Sequence, residues 1–156
     1  MPYTKSEIDG FLQGCFFSVL NFKKDGHLVS ELMIFSHDAN GDFYLWSRKL
    51  TENFDSIKEN PNVSLLIYKE EETLADMKYC NLWGIAEIIE DFNSEKAKIG
   101  YDLIGEKSPV AKQVPSEENE HKNTLICVSA EHIEVIGFKD LKAGEGPTIL
   151  EINKEG

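Results

Sequence analysis

The chain has a single arginine, Arg48, among its 156 residues, and 28 acidic against 16 basic side chains leave it with a net charge of −12. Nucleic acid is held mainly by clustered basic side chains that neutralise phosphates. A thin scatter of lysines on an acidic surface therefore excludes that partner, and an anionic membrane surface with it. Cysteine is scarce and odd in number. Cys15, Cys80 and Cys127 show no Cys-x-x-Cys spacing, which argues against a disulfide framework and against a structural zinc site. Cys15 and Cys127 lie in apolar runs, where a free thiol packs as a small hydrophobe, and the set fits a reducing compartment. Long hydrophobic runs are missing as well. The richest, Gly14 to Phe22, is broken by Ser18 and Asn21 and falls short of the roughly 20 residues of a membrane span. The opening MPYTKSEIDG is polar and acidic rather than basic and then apolar, so no signal peptide is read and a cytoplasmic location is expected. No G-x-S-x-G string frames a serine, and neither a metal-ligand cluster nor a glycine-rich phosphate loop is present.

What remains is 41% hydrophobic and 28% charged, the balance of an ordinary globular domain long enough to bury its own core. Thr4 followed by Glu7 is a capping-box pattern that opens a helix over about 4–13, with Ile8, Phe11 and Leu12 on one face. The run CFFSVLNFK, the Asp25-Gly26 turn, a strand over His27 to Ser36, the Asn40-Gly41 turn and a strand over Phe43 to Ser47 read as an antiparallel meander. Thr51 can cap a helix to Asn60 that buries Phe54 and Ile57. A strand over Asn62 to Lys69 and a long one over Lys78 to Glu90 follow, the latter bent at Gly84. A helix over about Ser94 to Ile104 carries Ala97, Tyr101 and Ile104 at helical spacing. Beyond a polar loop over Glu106 to Asn123, Thr124 to Ala130 and His132 to Phe138 read as a last pair of strands, and 139–156 as an irregular tail. Short strands closed by turns and interrupted by three helices predict a mainly β fold, an antiparallel barrel with helical plugs, over 1–138.

From the second strand to the fifth the order of signals resembles the pyridoxamine 5′-phosphate oxidase-like FMN-binding split barrels. The residues that carry the likeness are LVSELMIF, the NGD hairpin, FYLWS, the helix ending KENP, the string Asn60-Pro61-Asn62-Val63-Ser64-Leu65-Leu66, and LWGIAEIIED. The resemblance covers about residues 10–138 and implies an antiparallel, Greek-key-like split barrel that binds FMN at the interface of a homodimer. It also implies flavin-mediated reduction of a small molecule. By position, the backbone of Glu31, Leu32, Met33 and Ile34 would read the polar edge of the flavin ring, with Trp46 and Ser47 on the neighbouring strand. For Leu32 and Ile34 an ordinary core role stands beside this one.

The phosphate would fall to Arg48, Lys49, the Thr51 hydroxyl, the Asn53 amide and the free amides of the helix N-terminus. Glu52 stands where much of that family keeps a basic residue. The basic residues that vitamin B6 oxidation uses on the second strand are replaced here by Ser30 and Phe35, which argues against that substrate. Ser47 to Asn53 is also similar to the matching region of haem-binding and haem-degrading split barrels, although their usual histidine near Asn53 is missing. His27, His37, His121 and His132 are the available axial ligands for that alternative. A barrel that has lost its cofactor is a third reading. Trp83 and Leu82 are the expected interface residues of the homodimer.

Overall fold

The computed structural model describes residues 2–48, 51–108, 123–150 and 152, with the side chains of Ser47, Arg48, Thr51, Glu52, Asn123 and Thr124 outside that description. In chain order the elements are α1 (Lys5–Gln13), β1 (Phe17–Lys24), β2 (His27–His37), β3 (Asp42–Arg48), α2 (Thr51–Glu59), β4 (Asn62–Tyr68), β5 (Lys78–Ile89), α3 (Glu95–Lys107), β6 (Asn123–Gly137), α4 (Phe138–Lys142) and β7 (Thr148–Leu150). A single 3-10 turn, Leu74–Asp76, precedes β5.

The strands form one antiparallel sheet in the order β3-β2-β1-β4-β5-β6-β7, and an additional β3–β6 pairing closes it into a six-stranded barrel with β7 outside. The neighbours β4-β1-β2-β3 are the Greek key expected from the sequence. Local chemistry sets the turns. Asp25 and Gly26 both take positive φ, 51° and 79°, between the paired Lys24 and His27, so the two-residue turn twists as the flanking strands do.

Inside the barrel Leu20, Phe22, Phe35, Leu45, Leu65, Ile67 and Leu82 are fully buried. Helices α1 and α2 add Ile8, Leu12 and Ile57 to the same cluster. The capping box at α1 forms as expected, the Thr4 hydroxyl accepting from the Glu7 amide at 3.1 Å. A second cluster lies on the opposite face of β3 and β6, where α3 packs Ala97, Tyr101 and Ile104 against Tyr44, Leu125 and Cys127. No helix among the described residues is long and apolar enough to cross a membrane.

The C-terminal part differs from the expectation in two ways. The last pair of strands is one continuous strand, β6, whose register against β5 breaks where Trp83 faces His132 and Gly84 faces Ala130. Glu131 is the extra, exposed residue of that bulge. A Cβ on Gly84 would come within 2.1 Å of the Ser129 carbonyl oxygen, which is why glycine stands there. Past 138, the segment expected to be irregular carries α4 and β7. The latter pairs with Ile133, Glu134 and Val135 of β6, and the Tyr3 amide donates to the Thr148 hydroxyl at 3.0 Å.

Candidate functional site

The barrel is split along β2. This strand pairs with β1 from His27 to Ile34, but its ladder with β3 is only four residues long, from Ile34↔Trp46 to His37↔Phe43. Past Trp46, β3 instead follows β6 as far as Arg48↔Asn123. The Phe35 amide donates to the Phe16 carbonyl at 3.1 Å, so the odd-numbered residues of β2 turn their backbone groups to β1 and the even-numbered ones to the other side. The amide and carbonyl of Ser30 and Leu32 therefore face the gap that β3 has left, without a strand partner among the described residues. Backbone donors and acceptors in that position must be met by water or by a ligand.

Side chains follow the same alternation. Met33 points into the core, while Ile34 is half-buried and Leu32 is 66% exposed on the outer face. The core role weighed for Leu32 is thus excluded, and Met33 contributes packing inside with its carbonyl accepting from the Ser18 hydroxyl at 3.3 Å. Trp46 stands across from Ile34 and packs beside α3. Its indole Nε1 is buried with no hydrogen-bond partner among the described residues.

Glu31 and Asn53 are brought together, the Asn53 amide donating to the Glu31 carboxylate while the Asn53 carbonyl oxygen accepts from Lys24 Nζ at 3.2 Å. Burial raises the pKa of Glu31, and the Asn53 hydrogen bond and the Lys24 charge pull it back. The backbones of Ser47 and Arg48 end β3, and Thr51 is the first residue of α2, so these three lie at the end of the strand and the start of the helix. Their side chains, like that of Glu52 and the whole of Lys49, lie outside the described residues.

The other candidate groups lie away from Ser30 and Leu32. His27 is exposed beside the Gly26 turn, His37 is buried near Asp9, and His132 stacks on Trp83 with ring centroids 4.1 Å apart. His121 lies outside the described residues. All three cysteines are free and buried, and burial pushes the thiols of Cys80 and Cys127 up to about 12, so neither is a ready thiolate at neutral pH. No group of three or more metal-capable side chains occurs among the described residues.

The outer face beside the gap is apolar. A groove of about 340 Å3 runs along Phe16, Phe17, Val19, Leu32, Leu66 and Tyr68, and a second of about 270 Å3 continues past Leu66 to Tyr79 and Phe138. The residues expected from the sequence at a dimer interface, Leu82 and Trp83, lie on β5. There, Leu82 is wholly buried inside the barrel, which removes it from any interface, whereas Trp83 is 43% exposed. The alternation of β1 and β4 puts Phe17, Val19, Leu66 and Tyr68 on the grooved outer face.

No family model matches the sequence, and no curated protein matches it. Among solved structures the chain is similar to a protein related to general stress protein 26, of the pyridoxinephosphate oxidase family, from Clostridium acetobutylicum. The TM-score is 0.69 at 15% identity, over 94% of this chain and 93% of that one. It is also similar to general stress protein 26 of Bacillus anthracis (TM-score 0.61, 22% identity, 94% and 97% covered). A third similar structure is a haem storage protein from Vibrio cholerae (TM-score 0.68, 17% identity, 88% and 95% covered). These likenesses establish the fold: the chain has the split barrel of the pyridoxamine 5′-phosphate oxidase-like proteins.

Proposed function

We propose that the protein is a cytoplasmic FMN-binding flavoprotein that acts as a homodimer and reduces a small molecule. The observation that carries this reading is the open edge of β2, where the backbone groups of Ser30 and Leu32 have no strand partner among the described residues and Leu32 lines an apolar groove. A flavin ring needs both features, hydrogen-bonding partners along one polar edge and apolar contact for its faces. The buried, unpartnered indole N–H of Trp46 lies one strand away and fits the same ligand. Arg48, Lys49, Thr51 and the first amides of α2 would hold the phosphate. Asn53 already holds Glu31 and Lys24, and its second amide N–H would be the one to donate to the phosphate. FMN bound there would supply hydride or electron transfer, while the chain binds, orients and shields it.

The homodimer rests on the apolar face. Monomers rarely leave so continuous a patch in water, and a second copy is the partner that would cover it and complete the flavin pocket. Three free cysteines fit the reducing cytoplasm. The haem reading, suggested by some of the similar structures, is less well supported because His27, the one described histidine on the stretch of β2 that β3 leaves, is exposed at the turn end of the strand and does not line the apolar groove beside Leu32.

The absorption spectrum of the purified protein, followed by titration with FMN and riboflavin, tests the proposal. Flavin bands and tighter binding of FMN than of riboflavin support it. A Soret band, or no binding of either flavin, refutes it. Arg48→Ala should weaken FMN by roughly ten- to a hundredfold and leave riboflavin unchanged, the effect of one charge-assisted phosphate contact.

A further inference from the structure

Strand β1 sends Leu20 and Phe22 into the barrel, and Lys24, the last residue of the strand, continues that alternate set beside the Asp25-Gly26 turn. Its neighbour Lys23 belongs to the other face and is exposed. Lys24 is half-buried, which is costly for an ammonium unless its charge and its N–H groups are met. One partner comes from the third residue of α2, where Lys24 Nζ donates to Asn53 Oδ1 at 3.2 Å. Asn53 in turn donates to the Glu31 carboxylate, which also feels the Lys24 charge.

This arrangement sets a cation against the first turn of a helix. The free amides and the aligned peptide dipoles at that end favour anions and disfavour cations. Lysine, amide donors and the second N–H of Asn53 are all suited to one anion that they would share. Glu31 meets part of the charge, but a carboxylate carries a single negative charge, whereas a phosphate monoester carries nearly two at pH 7. An ammonium has three donors on a flexible stem, so Lys24 can keep Asn53 and still reach a phosphate oxygen.

The chain positions fit a single ligand spanning both places. Glu31 lies between Ser30 and Leu32, the residues whose backbone groups face the gap. Its hydrogen bond with Asn53 therefore brings the first turn of α2 level with that edge. A ligand whose ring edge meets Ser30 and Leu32, and whose phosphate reaches the first amides of α2, ends beside Lys24.

We propose that Lys24 is a further phosphate-binding residue of the flavin site, reaching from the β1–β2 hairpin to the first turn of α2 and favouring FMN over riboflavin. The inference rests on the flavin reading and adds to it a cation from a different hairpin, outside the stretch that joins β3 to α2.

FMN and riboflavin are titrated at low and high salt into the full chain as wild type, Lys24→Met, Lys24→Arg and Lys23→Met. Lys24→Met keeps the stem and removes the charge, while Lys23→Met removes the same charge one residue away on the other face of the strand. Lys24→Met should weaken FMN roughly three- to thirtyfold, with a smaller loss at high salt, and move riboflavin by less than about twofold. Lys24→Arg should stay within about threefold of wild type for FMN, and Lys23→Met within about twofold. Equal losses of FMN and riboflavin in Lys24→Met would make Lys24 a structural support of the pocket and overturn the proposal. An unchanged FMN affinity in Lys24→Met, a Lys24→Arg variant no better than Lys24→Met, or an equal loss in Lys23→Met would overturn it as well, while leaving the flavin reading intact. If the wild type binds neither flavin, or binds both equally, the flavin reading itself falls and the role of Lys24 falls with it.

Discussion

Lys107, the final residue of α3, reaches back across the barrel end to α1, and the pH dependence of its contribution can be worked from the structure. Its ammonium donates to the carbonyl oxygens of Leu12 and Cys15 at 2.9 and 2.7 Å and stands 3.8 Å from the centre of the Phe35 ring. Those carbonyls close the end of α1, where helical partners run out. Burial nevertheless lowers the lysine pKa from 10.5 to about 8, which disfavours the charged form in the fold by about 3 kcal/mol. Below pH 8 both the folded and the unfolded chain carry the proton and that penalty is fully present. Between pH 8 and 10.5 the unfolded chain holds more protons than the folded one, so stability rises with pH as the penalty is relieved.

Lys107→Met keeps the stem and removes the charge. At pH 7 it leaves the Cys15 carbonyl without the ammonium, a loss of about 1–3 kcal/mol, but also removes the desolvation penalty, so the variant should lie within about 2 kcal/mol of wild type. The Leu12 carbonyl keeps the Cys15 amide at 3.2 Å. By pH 10 the wild type should have gained about 2–3 kcal/mol over the variant. Urea unfolding of both proteins at pH 7, 8, 9 and 10 measures this, and the difference between the two curves cancels the tyrosines and cysteines that titrate in the same range. Parallel pH profiles would refute the reasoning, because they would mean that the two carbonyls and the Phe35 ring offset the whole cost of burial.

Gly84→Ala should destabilise the protein by about 3 kcal/mol or more in urea melts, since the added methyl meets backbone of β6 that cannot swing aside; a loss under about 1 kcal/mol would show that the bulge is plastic. A disulfide reagent should find almost no reactive thiol in the native protein at pH 7 and three in denaturant, and fast labelling of the native protein would contradict the burial of Cys15, Cys80 and Cys127. Leu66→Lys places a charge between the two outer grooves. If a second copy covers them, light scattering should give twice 17.7 kDa for the wild type and 17.7 kDa for the variant.

Much of the barrel was legible because its turns and caps are local. Thr4 with Glu7, Asp25-Gly26 and Asn40-Gly41 each require only a few neighbouring residues to fix their geometry. The single strand β6 was not legible as one element, for a physical reason. Ile126, Val128 and Ala130 face the interior on even positions, and after the extra residue Glu131 the inward set becomes Ile133 and Val135. A strand whose alternation changes phase reads as two. The three residues of β7 are too few to show any period, and pairing with β6 is what makes them a strand. Along β2 the strand itself was legible, but which of its residues offer free backbone groups depends on where β3 departs. Met33 and Leu32 differ by one position and face opposite ways, a distinction that tertiary pairing alone decides.

The pairing of β6 also imposes an order on synthesis. Both seams that close the barrel, against β3 and against β5, wait for residues 123–137, long after β3 has left the ribosome. Until then Phe43, Leu45 and Leu82 line a sheet with two open edges, a state in which unpaired strands can template wrong partners. Closure through such distant pairs makes folding slow relative to a helical bundle of this size. A growing chain of this protein is therefore exposed to wrong strand pairing until β6 arrives.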